Sequence, residues 1–240
     1  GDWRLEMLTR KDKQGVDHPV QTGVNVGVVL ENHPEWKGAL RFNFMTNDIE
    51  VTGSPLRENQ KKPEVLITAI RNWLVRAEAL DLTQAEVSSQ VELVAQDHGF
   101  DPIHDYLTKE IKWDGVPRIE NWLETYCGAK MTTDNGIDVR EYVKLVGKKW
   151  LMAAVARALY PGCKADNVLV LEGEQYVGKS KCLDILGGKW FVDTKLHIGD
   201  KSTMELTGRA WIIEMAELAS MRKNETETQK AFFSTRVDNF

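Results

Sequence analysis

Eight residues decide the fold predicted for this chain: Gly173-Glu174-Gln175-Tyr176-Val177-Gly178-Lys179-Ser180. They match the phosphate-binding pattern G-x-x-x-x-G-K-[ST]. An apolar run at residues 167–171 precedes them and predicts a strand buried on both faces of a parallel sheet. Residues 181–186 follow with helical spacing and end at a pair of glycines. The order strand, glycine-rich loop, helix therefore predicts a P-loop at this position.

The residue types in this loop indicate which ligand it would bind. Backbone N–H groups of the loop and of the helix N-terminus carry partial positive charge, which favours phosphate. We expect Lys179 to reach the β- and γ-phosphates of ATP and the Ser180 hydroxyl to bind Mg²⁺. The predicted nucleotide-binding residues are therefore 173–180 together with Lys181. The competing interpretation is an ordinary glycine turn.

The composition is that of a globular protein, and the sequence argues against a membrane protein and against a metal site built from cysteines. Of 240 residues, 42% are hydrophobic and 28% are charged, and the net charge is −5. No apolar run has the length of a membrane span, so we expect no membrane partner and a cytoplasmic location. Cys127, Cys163 and Cys182 share no metal-ligand spacing, which favours reduced thiols. Because the net charge is negative, the chain as a whole does not attract DNA, and any contact with DNA would depend on a local group of basic residues.

Three regions follow from the change of pattern along the chain. Residues 1–60 read as a small extended region, with a hairpin predicted where residues 37–45 and 49–51 flank an Asn-Asp turn. Residues 61–164 carry helical periodicity, including a capping box at Thr83 and Glu86 and a long helix at 139–159. Residues 165–240 alternate strand and helix. The predicted fold is thus an α/β P-loop NTPase core with an incomplete parallel sheet, preceded by a mainly helical domain and the strand-rich region.

A P-loop enzyme also needs an acidic residue at the end of a neighbouring strand. Glu214 directly follows the apolar run 210–213, and Glu217 lies three residues further along. We favour Glu217 as the catalytic carboxylate. Ser180 is the expected metal ligand, and Glu214 is expected either to bind the metal or to hold one of its ligands, while the order of the two glutamates stays open. Either glutamate alone could instead be a solvated charge at a strand end.

Several segments together resemble one family, the virulence-associated protein E family. They are Trp113-Asp114-Gly115-Val116-Pro117-Arg118, Val155-Ala156-Arg157 with Pro161-Gly162, the loop at 173–180, Gly187-Gly188-Lys189-Trp190-Phe191, Trp211-Ile212-Ile213-Glu214-Met215-Ala216-Glu217-Leu218 and Lys230-Ala231-Phe232-Phe233-Ser234. The resemblance covers residues 101–240 strongly and residues 1–100 only in general layout. It implies a superfamily-three helicase, an AAA+ motor of phages and mobile elements that assembles into a ring, a hexamer in the whole protein, often behind a primase module.

The chain departs from the family pattern in two ways. The family loop usually carries Gly where this chain has Tyr176, and a tyrosine there is tolerable only with an unstrained φ; its ring would shield or stack on the nucleotide. The sensor strand and arginine finger of such motors would follow Phe240. The resemblance thus implies a C-terminally truncated chain that binds nucleotide with little turnover.

Two groups of basic residues are candidates for DNA contacts. Arg140, Lys144 and Lys148 form a stripe at i, i+4 and i+8 on the long helix, although most such stripes are merely solvated. Lys223 and Lys230 follow the acidic motif, where the resemblance implies DNA-contacting loops. The tryptophans at 73, 113, 122 and 150 sit at helical core spacing and predict packing.

The leading functional hypothesis is an ATP-dependent DNA helicase of a mobile element's replication protein. The alternative is a nucleotide-dependent regulatory or DNA-binding module, for instance in phage interference, that does not unwind DNA. A small-molecule kinase fits less well, because nothing in the sequence resembles an acceptor lid.

Overall fold

A computed structural model of the chain describes residues 2–193 and 206–215. The chain divides into two compact units, Gly1–Pro102 and Ile103–Phe240. The described residues form a mixed α/β protein in which helices predominate and the sheets are small. Among these residues, no helix combines the length and apolar character needed to cross a bilayer.

The first unit packs three helices against a β-hairpin. Its elements are β1 (Thr9–Lys11), β2 (Asp17–Pro19), α1 (Gly23–Asn32), β3 (Leu40–Asn43), β4 (Asp48–Val51), α2 (Pro63–Glu78) and α3 (Gln84–Asp97). Strands β3 and β4 pair antiparallel with Leu40 opposite Val51, so the predicted hairpin is confirmed. The turn between them places Asn47 in a left-handed conformation, φ 57°, which asparagine tolerates better than most residues.

One hydrophobic core joins the elements of this unit. Val26, Ile70 and Val91, from α1, α2 and α3 respectively, are each completely buried, as is Trp36. The predicted capping box of α3 is confirmed: the Thr83 hydroxyl accepts from the Glu86 N–H, and the Glu86 carboxylate accepts from the Thr83 N–H. The core therefore contains side chains both from residues 1–60, predicted as a strand-rich region, and from the predicted helical region that follows.

Helix α1 was not expected from the sequence. Residues 23–30 read Gly-Val-Asn-Val-Gly-Val-Val-Leu, which alternates like a strand and is rich in β-branched residues. Tertiary contacts override this preference, because the face with Val26, Val29 and Leu30 is buried. Thr22 caps the helix by accepting from the Asn25 N–H. A Cβ at Gly27 would lie 2.9 Å from the Oε1 atom at the end of the Gln90 side chain of α3, so a larger residue there would require this flexible side chain to move.

In the second unit, the described residues include four named helices and one parallel strand pair. They are α4 (Pro102–Asp105), which begins at the boundary and continues as a π-turn over Tyr106–Glu110, α5 (Trp122–Cys127), α6 (Arg140–Leu159), α7 (Lys179–Gly187), β5 (Phe191–Asp193) and β6 (Ile212–Glu214). The predicted long helix at 139–159 is confirmed as α6. Trp122 and Leu123 of α5 are buried, and the Trp122 ring stacks on Trp150 of α6 with centroids 5.8 Å apart.

The run at residues 167–171 differs from its prediction. It has no strand assignment, and Val168 and Val170 are 51% and 55% exposed. A strand needs a neighbour that supplies its backbone hydrogen bonds. Within the described part of the chain, β5 and β6 pair with each other, and no strand pairs with this run. The described parallel sheet therefore has two strands where the sequence pattern predicted three.

Candidate nucleotide-binding site

The glycine-rich loop leads directly into α7. Helix α7 begins at Lys179, and Gly178 before it has φ +92°, a left-handed conformation that glycine adopts without steric cost. Tyr176 also has a left-handed φ, +65°, and its side chain is fully exposed. From the sequence, we expect Tyr176 to be tolerated only with an unstrained φ. Its φ is instead strained, because a residue with a Cβ in the left-handed region costs roughly 1 kcal/mol or more.

The Lys179 side chain folds back over its own loop. Its Nζ donates to the carbonyl oxygens of Gly173, at 2.9 Å, and of Glu174, at 2.6 Å. Both acceptors are neutral, so the ammonium charge keeps its capacity to attract an anion into the loop. The neighbouring Lys181, also predicted to contact nucleotide, instead pairs with Asp184 one turn along α7, at 2.6 Å. Lys179 is thus the cation directed at the loop.

The structure brings together the two residues predicted to bind Mg²⁺. The Ser180 Oγ, in the first turn of α7, donates to the Glu214 Oε1 at the end of β6, at 2.7 Å. The other carboxylate oxygen, Oε2, is buried and has no hydrogen-bond partner among residues 2–193 and 206–215. Leaving a carboxylate oxygen buried and unpaired costs free energy unless a cation or donor occupies the adjacent space. Ser180 and Glu214 therefore resemble two of the ligands of a cation site, with further ligands still needed.

These residues fit Mg²⁺ by the chemistry of their donor atoms. A hydroxyl and a carboxylate are hard oxygen ligands, which Mg²⁺ prefers. No group of three or more His, Cys, Asp or Glu residues that could hold a metal occurs among the described residues. Mg²⁺ in phosphate sites is commonly held by one or two protein ligands together with substrate phosphates. The arrangement suits a metal delivered with a nucleotide more than a permanently bound metal.

Strand β5 supplies an acidic residue that the sequence reasoning missed. Asp193 ends β5 and pairs in register with Glu214, the last residue of β6. The carboxyl ends of parallel strands form the edge where ligands bind in open α/β sheets. Each strand has two apolar residues followed by an acidic one, Phe191-Val192-Asp193 in β5 and Ile212-Ile213-Glu214 in β6. This shared pattern is the sequence signal that could have identified Asp193.

Trp190 and Trp211 connect this strand pair to neighbouring elements through both side-chain and main-chain contacts. The Trp211 Nε1 donates to the Ala154 carbonyl of α6, at 3.0 Å, and the Trp211 N–H donates to the Trp190 carbonyl, at 2.9 Å. The Tyr106 ring packs against Trp190 with centroids 5.2 Å apart. Trp113 differs from its predicted packing role, because it is 78% exposed in a turn where its Nε1 donates to the Val116 carbonyl.

The basic stripe on α6 is partly neutralised. Lys144 Nζ lies 3.4 Å from a Glu141 carboxylate oxygen, and Lys148 Nζ lies 2.9 Å from Glu120. The Lys148 ammonium lowers the pKa of Glu120. Arg140 has no carboxylate partner within the described ranges. The stripe therefore offers less net charge to a DNA backbone than its sequence indicates.

Three predicted site residues lie outside the described residues. They are Glu217, Lys223 and Lys230. The structure thus brings together Lys179, Ser180 and Glu214 around the loop and says nothing of these three.

Loop, helix and parallel strand pair form an α/β unit in which a glycine-rich loop leads into a helix that contacts the Glu214 carboxylate. The model of the virulence-associated protein E-like domain matches residues 107–240, more than half of the chain. The chain therefore belongs to this family. No curated protein matches it.

Proposed function

We propose that the chain binds Mg·ATP at the loop 173–180 and is the ATPase part of a DNA helicase or replication protein of a phage or mobile element. The observation that carries the proposal is the hydrogen bond from Ser180 to Glu214, whose second carboxylate oxygen is buried and finds no partner within the described residues. The family of the chain supports the link to mobile elements. The ATPase part would span residues 165–240, and the whole protein would act as a ring with DNA, alongside a primase module.

Each residue of the site has a defined task in this proposal. The loop N–H groups and the Lys179 ammonium would bind the phosphate oxygens, with Lys179 exchanging its two carbonyl acceptors for them. Ser180 and Glu214 would hold the cation. Mg²⁺, when bound, would neutralise negative charge on the β- and γ-phosphates. Glu217 would orient the attacking water and accept its proton, as a general base.

Nucleotide titration by calorimetry tests the first part of this proposal. The 240-residue chain should bind Mg·ATP, and Lys179→Ala should abolish binding, because the loop loses its only charge aimed at the phosphates. Lys164→Ala is the matched control, since Lys164 pairs with Asp166 outside the loop. Equal affinity in the wild type and Lys179→Ala would refute the assignment of the loop.

A second candidate function is a nucleotide-dependent regulatory module that does not unwind DNA. The ion pairs of Lys144 and Lys148 favour it, because they reduce the charge that α6 offers to phosphate. An ATPase assay with and without DNA, together with a strand-separation assay, separates the two functions. Stimulation by DNA with unwinding supports the helicase, whereas nucleotide binding without either supports the regulatory module.

A further inference from the structure

Two of the three cysteines meet beside the glycine-rich loop. The Sγ atoms of Cys127 and Cys182 lie 3.0 Å apart, although the residues are 55 positions apart in the chain. Cys127 is the last residue of α5, and Cys182 lies two residues after Ser180 in α7. Both are free thiols and half-buried, so a small oxidant can reach them. Two sulfurs in contact need only a small approach to reach the bond distance of about 2.05 Å.

We propose that Cys127 and Cys182 form a reversible redox-modification site, at which a peroxide converts the two thiols into a disulfide that ties α5 to α7. Nothing in the nucleotide site uses either sulfur. The contact instead joins the helix that presents Lys179 and Ser180 to a neighbouring helix of the same unit. Oxidation would therefore act on the element that positions the loop.

The oxidation balances with either sulfur as the first nucleophile. Burial, and then the contact with Cys182, raises the pKa of Cys127, which favours Cys182 for the first attack. The Cys182 sulfur attacks one oxygen of hydrogen peroxide, the O–O bond breaks, and the leaving hydroxide takes up the Cys182 thiol proton to become water, which gives a sulfenic acid on Cys182. The Cys127 sulfur then displaces the hydroxyl group, which leaves as a second water with the Cys127 proton. Two thiols are oxidised and one peroxide is reduced to two waters.

The effect on nucleotide binding rests on the proposed function. Cys182 lies in the same turn of α7 as Ser180, so drawing it toward α5 moves the Ser180 hydroxyl and the N–H groups that would bind phosphate. Hydrogen bonds to phosphate need donor–acceptor distances near 2.9 Å and weaken when the donors shift. We expect the oxidised chain to bind Mg·ATP at least threefold more weakly than the reduced chain.

Peroxide treatment of the reduced 240-residue chain tests the disulfide itself. The number of titratable thiols should fall from three to one, and peptide mapping should recover Cys127 linked to Cys182. Dithiothreitol should restore all thiols. The melting temperature should rise by on the order of 10 °C on oxidation, because the bond closes a long loop. Three remaining thiols, a bridge to Cys163, or dimers linked between chains would overturn the proposal.

Cysteine variants and nucleotide titrations complete the test. Cys163→Ser should still form the bridge, whereas Cys127→Ser and Cys182→Ser should each prevent both the bridge and the rise in melting temperature. A bridge with unchanged Mg·ATP affinity would overturn the coupling to the loop. Failure of the reduced wild type to bind Mg·ATP would instead refute the proposed nucleotide function, and the disulfide would stand on its own readouts.

Discussion

The Ser180 hydroxyl donates to the Glu214 carboxylate at 2.7 Å and so connects the helix after the glycine-rich loop to the end of a strand 34 residues later. The other oxygen of this carboxylate is buried and has no partner in the part of the chain that the structure describes. A hydroxyl and a carboxylate held at this distance can share one hard cation, because both are oxygen ligands. The contact therefore links the glycine-rich loop, through the helix that follows it, to the acidic strand end by two side chains.

Replacing Glu214 tests whether this carboxylate holds Mg²⁺. Glu214→Gln keeps the size and one oxygen of the side chain but removes the negative charge. We expect the affinity for ATP measured with Mg²⁺ to fall by about 10- to 100-fold, in line with the loss of a metal-site partner, while the affinity measured with EDTA changes little. Calorimetry under both conditions gives the comparison.

Glu124→Gln is the control for this substitution, because Glu124 is an exposed carboxylate on α5. Its affinities should match those of the wild type. If Glu214→Gln loses no Mg²⁺-dependent affinity, Glu214 is a structural partner of Ser180 and the metal role is wrong.

The close packing of α7 on the strand pair gives a prediction about stability and binding together. A Cβ at Gly187 would lie 2.8 Å from the Phe191 Cβ and 3.2 Å from the Ile212 Cβ. Gly187→Ala should force α7 away from β5 and β6 and lower the free energy of unfolding by about 1–3 kcal/mol. Because α7 carries Ser180 and β6 carries Glu214, Mg·ATP affinity should fall as well. Urea denaturation and calorimetry measure the two effects.

Ile185→Ala serves as the comparison for Gly187→Ala, since Ile185 lies on the same helix but is mostly exposed. It should leave both quantities near the wild-type values. A Gly187→Ala protein as stable as the wild type would show that the helix and strands adjust without cost.

The turn at residues 113–118 gives a pH-dependent prediction. Hydrogen bonds from the Arg118 guanidinium and then from the Val116 N–H hold the pKa of Asp114 at about 2, below its ordinary value of 3.8. A depressed carboxyl pKa stabilises the turn above about pH 4, and that stabilisation is lost as the pH falls toward 2. NMR titration of the Asp114 carboxyl should give a midpoint near pH 2, and Arg118→Gln should raise it toward the ordinary value.

Lys112→Gln provides the reference titration, because it removes a nearby charge without touching the Asp114 hydrogen bonds. A midpoint for Asp114 that is the same in the wild type and Arg118→Gln would contradict the ion pair.

Local signals in the sequence were sufficient to predict several elements. The capping box at Thr83 and Glu86 and the hairpin around Asn47 depend on short-range chemistry, and both are present. The Ser180–Glu214 contact agrees with the expectation that an acidic strand end lies near the glycine-rich loop, although the run at residues 167–171 before that loop is not a strand. Such features can be predicted because their causes lie within a few residues or in the topology.

Features that depend on distant packing could not be predicted in this way. Helix α1 has the alternation of a strand and is helical because its apolar face is covered by the core. The contact between Cys127 and Cys182 joins residues whose spacing carries no signal. Residues other than glycine usually avoid a left-handed φ, so the sequence does not predict the left-handed φ of Tyr176. The strain at this position is seen only in the structure.

The choice between the two glutamates is the last test of the proposed mechanism. If Glu217 orients the attacking water, Glu217→Gln in the full-length protein should keep the affinity for Mg·ATP and lose hydrolysis, because the isosteric amide fits but cannot accept a proton. The two variants then differ in kind: Glu214→Gln loses Mg²⁺-dependent affinity, and Glu217→Gln binds without turnover. Single-turnover hydrolysis and calorimetry on each variant distinguish them. Turnover lost only in Glu214→Gln at full affinity would reverse the two roles, and wild-type hydrolysis and unwinding in both would exclude both glutamates from the site.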